Sequence, residues 1–154
     1  MSQQVRTETP VQQPTNDAWR AGVLAGILAG AVMGVLLTVQ MTPVIEVAIP
    51  SLYGLEGGLA GWVVHVAHGA VLGVGFAALV RAAGVETTVA RSLALGLAYG
   101  VVLWVVLAVL VMPVWLGAVG APMVPPLPNV DPMSLVGHLV YGAVLGASYP
   151  LFAR

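Results

Sequence analysis

Polar residues cluster at the start of the chain and at three later places, leaving four long apolar stretches between them. Uncharged runs of about 18 residues or more read as membrane-spanning helices, because about 20 residues rising 1.5 Å each cross the hydrocarbon layer. The pattern predicts spans over about Ala21 to Met41, Gly58 to Val80, Ser92 to Met112 and Ser134 to Ala153. Residues 1–19 form a polar tail expected to be disordered, and residues 20–154 form one transmembrane domain. A short polar turn joins spans two and three, with Gly84 as a helix stop signal. Loop one (Thr42 to Glu56) and loop three (Pro113 to Pro132) are longer and proline-rich. Pro43 and Pro113 are expected to terminate the helices before them. Val44 to Ile49 either continue span one past a kink or lie along the interface. Pro122, Pro125, Pro126, Pro128 and Pro132 argue against a regular helix late in loop three.

Composition strengthens this reading. Charged residues make up 7% of the chain and hydrophobic ones 59%. A soluble fold of this size could not cover that much apolar surface. The expected fold class is therefore all-α integral membrane, a four-helix transmembrane bundle, with the lipid bilayer as its partner. The net charge of −1 leaves no basic footprint for nucleic acid. Cysteine is absent, which excludes disulfides, thiolate metal sites and cysteine nucleophiles. The apolar run of span one is longer than a signal-peptide core, so we read it as a retained helix.

The arginines orient the bundle. Arg6, Arg20, Arg81, Arg91 and Arg154 all fall on one side of four spans, whereas the opposite loops carry Glu46, Glu56 and Asp131. The positive-inside rule then places both termini in the cytoplasm of a multi-pass cell-membrane protein. Trp19, Trp62 and Trp115 lie at span ends, as an aromatic belt would place them. Trp104 sits inside span three, where it packs or lines a cavity.

The chain also aligns with itself. A slide of 73 residues sets HVAHGAVLGVGFAALVR over HLVYGAVLGASYPLFAR, pairing His65 with His138, His68 with Tyr141 and Arg81 with Arg154. A slide of 70 pairs Gly26 with Gly96, Gly30 with Gly100 and Pro43 with Pro113. The simplest reading is one helical hairpin used twice in the same orientation, as two parallel pseudo-repeats. Glycines recur every fourth residue at Gly22, Gly26, Gly30 and Gly34, and again at Gly69/Gly73 and Gly142/Gly146. Such stripes let helix backbones approach in lipid. They build the bundle, and the first stripe could equally join two copies into a homo-oligomer.

Candidate chemistry sits inside the spans. His65 and His138 each lie 16 residues before a paired arginine, roughly 24 Å along a helix, so the rings should be level in the outer half of the membrane. His65, His68, Gly69, Leu72 and Phe76 share one helical face. His138, Tyr141, Gly142, Leu145 and Tyr149 share the matching face of the last span. Polar groups turned to lipid are costly, so His65, His68, His138 and Tyr141 are expected to line a central cavity. Three roles remain open: hydrogen-bonded glue between helices, a proton or small-ligand site, or a metal or haem site. His65, His68 and His138 would be the metal ligands. Other candidates carry less. Gly146-Ala-Ser148 is a partial likeness to an intramembrane serine-protease motif, without its second glycine or a base on another helix. Glu46 reads as a solvated loop charge or an ion-access carboxylate.

The stretches TPVIEVAIPSLYGLEGGLAGWVVHVAHGAVLG, VMPVWLG and GHLVYGAVLG resemble small four-span membrane proteins of haloarchaea. The resemblance covers about residues 20 to 154. It implies the same four-span fold, and no residue role comes with it. Some of that group are labelled histidine kinases, but this chain has no glycine-rich nucleotide box and its histidines lie in the spans. The expected role is non-enzymatic, with the histidine–tyrosine cluster handling protons or a small ligand. The alternatives are a haem- or metal-binding redox protein and a structural or sensory subunit. The orientation is testable because the chain has no native cysteine. In intact cells a membrane-impermeant maleimide should label Glu56→Cys and should label Ser2→Cys only after permeabilisation. The opposite pattern would invert the topology.

Overall fold

A computed structural model describes residues 17–84 and 88–153. The reading of the tail over residues 1–16 and the positions of Arg6 and Arg154 lie outside the described residues. The described chain is helical and holds four helices long and apolar enough to cross a membrane. These are α1 (Asp17–Gln40), α3 (Gly58–Ala82), α4 (Val89–Ala118) and α5 (Pro132–Phe152). A short helix, α2, follows α1 and runs as a π-helix over Val44–Ala48 and an α-helix over Ile49–Ser51. Local chemistry sets the ends. Gly84 takes the left-handed conformation, φ +61°, just past α3. The Thr88 hydroxyl accepts the Arg91 N–H at 3.4 Å, and the Asp131 carboxylate accepts the Ser134 N–H at 2.7 Å.

The helices pack in two close pairs. α1 lies against α3, α4 lies against α5, and α1 against α5 joins the pairs. The glycines explain the closeness. A methyl group added at Gly22 would strike the Gly73 carbonyl, and one at Gly26 the Gly69 carbonyl. Conversely, one at Gly69 or Gly73 would strike the Gly26 or Gly22 carbonyl. The second pair repeats this: Gly96 faces Gly142, Gly100 faces the His138 carbonyl, and Gly146 faces the Ser92 carbonyl. In each case the hydrogen standing in for a side chain points at a carbonyl oxygen, a Cα–H···O contact worth about 0.5–1 kcal/mol. Lipid offers helices no hydrophobic attraction to one another, so such packing holds the pairs. The stripe is not uniform. A methyl at Gly30 would meet its nearest neighbours at 3.5 Å, ordinary contact, and Gly34 faces the Trp62 indole instead of a backbone. The whole stripe is covered by α3 within one chain, so a second copy would have to meet another face.

Of the two prolines expected to end helices, one does not. Pro113 does not end span three: the helix continues to Ala118, and a π-helical stretch over Trp104–Val111 precedes the proline. Span three is thus Val89–Ala118 and not Ser92–Met112. The helix before Pro43 does end as expected, and loop one then stays on the bundle. α1 stops at Gln40, and α2 turns onto the start of α3, where Gly61 gives room for the Ile45 carbonyl. Proline has no N–H and crowds the carbonyl four residues back. A wider π turn relieves the crowding. The freed carbonyl still needs a donor, because an unpaired one in lipid costs several kcal/mol. Loops supply it: Gly57 N–H donates to the Glu46 carbonyl at 3.1 Å, four residues before Pro50. Asn129 N–H donates to the Val109 carbonyl at 3.0 Å, four residues before Pro113. Both longer loops are pinned to the bundle in this way.

The glycine contacts predict unequal effects along one stripe. Gly26→Ala and Gly96→Ala should each cost about 2 kcal/mol or more, as overpacking does. Gly30→Ala should be neutral or stabilising by up to about 1 kcal/mol, from helix propensity. Unfolding midpoints in a detergent series would measure this, and equal losses at all three positions would contradict it.

Candidate functional site

Tyr99 ties α4 to α3. The Tyr99 hydroxyl of α4 donates to the Leu72 carbonyl of α3 at 2.9 Å, and its ring packs on Phe76 at a centroid distance of 5.6 Å. Beyond that level, on the side of loops one and three, the two helices diverge. A cavity of about 420 Å³ fills the space between them. Its walls come from α1 and the residue after it (Met33, Leu37, Met41), α3 (His65, His68, Gly69, Leu72), α4 (Leu103, Leu107, Val111, Trp115) and α5 (Ser134, His138, Tyr141). α2 and the turn after it add Val44, Ile49, Leu52 and Tyr53.

All four residues singled out from the sequence, His65, His68, His138 and Tyr141, line this one cavity. Gly69 and Leu72 of the predicted α3 face line it too, whereas the remaining face residues do not. Phe76, Leu145 and Tyr149 are buried in the core below it, where Phe76 and Tyr149 meet edge to face with centroids 5.5 Å apart. Gly142 belongs to the contact between α4 and α5.

Their hydrogen bonding differs. The Tyr141 hydroxyl donates to the Gly69 carbonyl at 2.8 Å, tying α5 to α3. His138 Nδ1 is 2.8 Å from the Ser134 carbonyl on its own helix. Because a carbonyl only accepts, Nδ1 carries the proton and donates. His68 Nε2 shares a 2.7 Å hydrogen bond with the Tyr53 hydroxyl. His65 Nε2 is buried with no hydrogen-bond partner. No hydrogen bond engages His138 Nε2, and the residue lines the cavity.

Tyr53 and Trp115 are site residues that the sequence pattern missed. Tyr53 bonds to His68 on α3, and its ring meets Trp115 of α4 at 5.5 Å. It therefore bridges the two diverging helices at the outer end of the cavity. Trp115 appeared to be a lone belt residue because Pro113 read as a terminator. Trp62, also read as an anchor, packs between helices: its indole N–H donates to Thr38 Oγ1 at 3.1 Å. Trp104 is not a cavity residue, and its buried indole N–H has no partner.

Other candidates resolve simply. Among the described residues, no three His, Cys, Asp or Glu side chains are gathered closely enough to hold a metal ion. The three-histidine donor set that the sequence allows is therefore not assembled. The Ser148 hydroxyl donates to the Val144 carbonyl of its own helix at 2.6 Å, so it is not poised as a nucleophile. Glu46 lies outside the cavity, its carboxylate beside Gly58. Protein-family models, curated proteins and solved structures offer no match to the chain.

The Tyr141 bond crosses between helices that are not direct neighbours. Tyr141→Phe should cost about 1 kcal/mol, the range of interhelical hydrogen bonds in membranes. Unfolding titrations in mixed micelles would read it, and an unchanged midpoint would show that the bond contributes nothing.

Proposed function

We propose that the protein is a polytopic membrane protein that binds a small, largely apolar molecule in this cavity, with His65 and His138 as its polar contacts. One observation carries the reading: two imidazoles with unused Nε2 atoms belong to a cavity of about 420 Å³, a volume within the range of ligand pockets. A purely structural role would leave the buried His65 Nε2 unsatisfied at a cost of about 1–3 kcal/mol, without return. Binding suits the site better than proton relay. No carboxylate lines the cavity, and the Tyr99 and Tyr141 hydroxyls are both committed to backbone carbonyls. We read the role as non-enzymatic.

The same reading includes the architecture. The chain is a hairpin duplicated in parallel, with cytoplasmic termini. Its support is the match of contacts: the offsets of 70 and 73 that align the sequence also carry the Gly26–Gly69 contact onto Gly96–Gly142. Duplication places His65 and His138 at corresponding heights on two faces that converge.

The full chain, isolated from its own membrane in mild detergent, should carry an extractable small molecule that mass spectrometry identifies. Leu107→Trp and Leu72→Trp fill the cavity from opposite walls and should each lower its content by about tenfold or more, equivalent to 1.4 kcal/mol. Identical extracts from wild type and folded variants would remove the ligand reading. A Soret band in the wild-type spectrum would replace it with haem binding.

A further inference from the structure

We propose that the cavity selects a hydroxyl-bearing molecule drawn from the lipid phase, held by an O–H···N hydrogen bond to His138 Nε2. This rests on the ligand-site reading above and adds the chemical class and the route. The class follows from which groups are already engaged. His138 donates its Nδ1–H to the Ser134 carbonyl, so in the neutral ring Nε2 offers only a lone pair. The protein supplies no donor to it. The Tyr141 and Tyr99 hydroxyls donate to the Gly69 and Leu72 carbonyls, and the Tyr53 hydroxyl is engaged with His68. His65 Nε2, the second imidazole nitrogen without a partner, likewise receives nothing. The missing partner is therefore a donor, and an alcohol or phenol provides one where an ether or ketone does not.

The route follows from the shape. Tyr53 closes the outer end between His68 and Trp115. The Tyr99 hydroxyl ties α4 to the Leu72 carbonyl of α3. Val71 of α3 and Val111 of α4 line the cavity and are 69% and 39% exposed. Side chains that line the cavity and also reach the surface within the spans face acyl chains, so the molecule arrives sideways from the bilayer. The rest of the wall, including Met33, Leu37 and Leu107, suits a hydrocarbon or aromatic body.

Paired probes test this on the full chain in lipid nanodiscs, with tryptophan quenching at Trp115 as the signal. The pairs are farnesol with its methyl ether and 4-nonylphenol with its methyl ether. Methylation removes the donor and leaves the apolar body. In at least one pair the hydroxyl compound should bind saturably and about tenfold or more tighter than its ether. The better pair tells whether the natural molecule is an aliphatic alcohol or a phenol. His138→Phe should erase the preference, and His138→Gln, which keeps an acceptor, should retain part of it. The wild-type comparison stands without either variant. Ethers binding as tightly as their parents, no saturable binding of any probe, or an undiminished preference in folded His138→Phe would each overturn the inference. A co-purifying molecule lost from Leu107→Trp would leave the ligand site standing even then.

Discussion

Direct contact between helix backbones is the constraint on which the rest of this structure depends. In lipid, two apolar helices gain nothing by burying side chains that acyl chains already solvate. What holds them is van der Waals contact and weak polar contact at short range, and only glycine allows the range to become short enough. Gly22, Gly26, Gly69 and Gly73 bring α1 onto α3, and Gly96, Gly100, Gly142 and Gly146 bring α4 onto α5. Two tight pairs have a geometric consequence. α1 and α5 join the pairs, and compared with the helices within each pair α3 and α4 touch far less. They meet at Tyr99 and diverge beyond it, and the cavity occupies the divergence.

The prolines act on the same space. Each proline within a helix leaves a carbonyl without its usual donor, and in lipid that carbonyl must be satisfied. The Val109 carbonyl draws Asn129 of loop three inward, and the Glu46 carbonyl draws Gly57 of loop one. The π-helical turns that precede these prolines, Val44–Ala48 and Trp104–Val111, both contribute to the cavity wall. π turns recur at functional sites in helices because they widen the helix locally. Here they set the loops over the outer end, so that Tyr53 reaches both His68 and Trp115.

The parts of this arrangement legible in the sequence were those governed by periodicity. Four apolar runs marked the four long helices, fourfold glycine spacing marked the close faces, and a shared register put His65, His68, His138 and Tyr141 around one space. What periodicity does not encode was misread. Pro113 looked like a terminator because the rule assumes that a lost hydrogen bond has no substitute, whereas Asn129, 16 residues later, provides one. That single misreading shortened span three and removed Trp115 from the site. Tyr53 was invisible for a different reason: it lies in a turn, and its neighbours are fixed by contacts distant in sequence. The stripe at Gly34 also misled, since regular spacing did not show that its partner is the Trp62 ring.

Paired cysteines measure the central geometry directly, in a chain that contains none of its own. The Cβ direction of Gly30 comes within 3.5 Å of the Val66 Cα, so Gly30→Cys with Val66→Cys should form a disulfide under mild oxidation. Val71→Cys with Val111→Cys, on α3 and α4 beside the cavity, should remain reduced under the same conditions. Rapid crosslinking of the second pair, or failure of the first, would contradict an architecture of two tight hairpins held apart at a cavity.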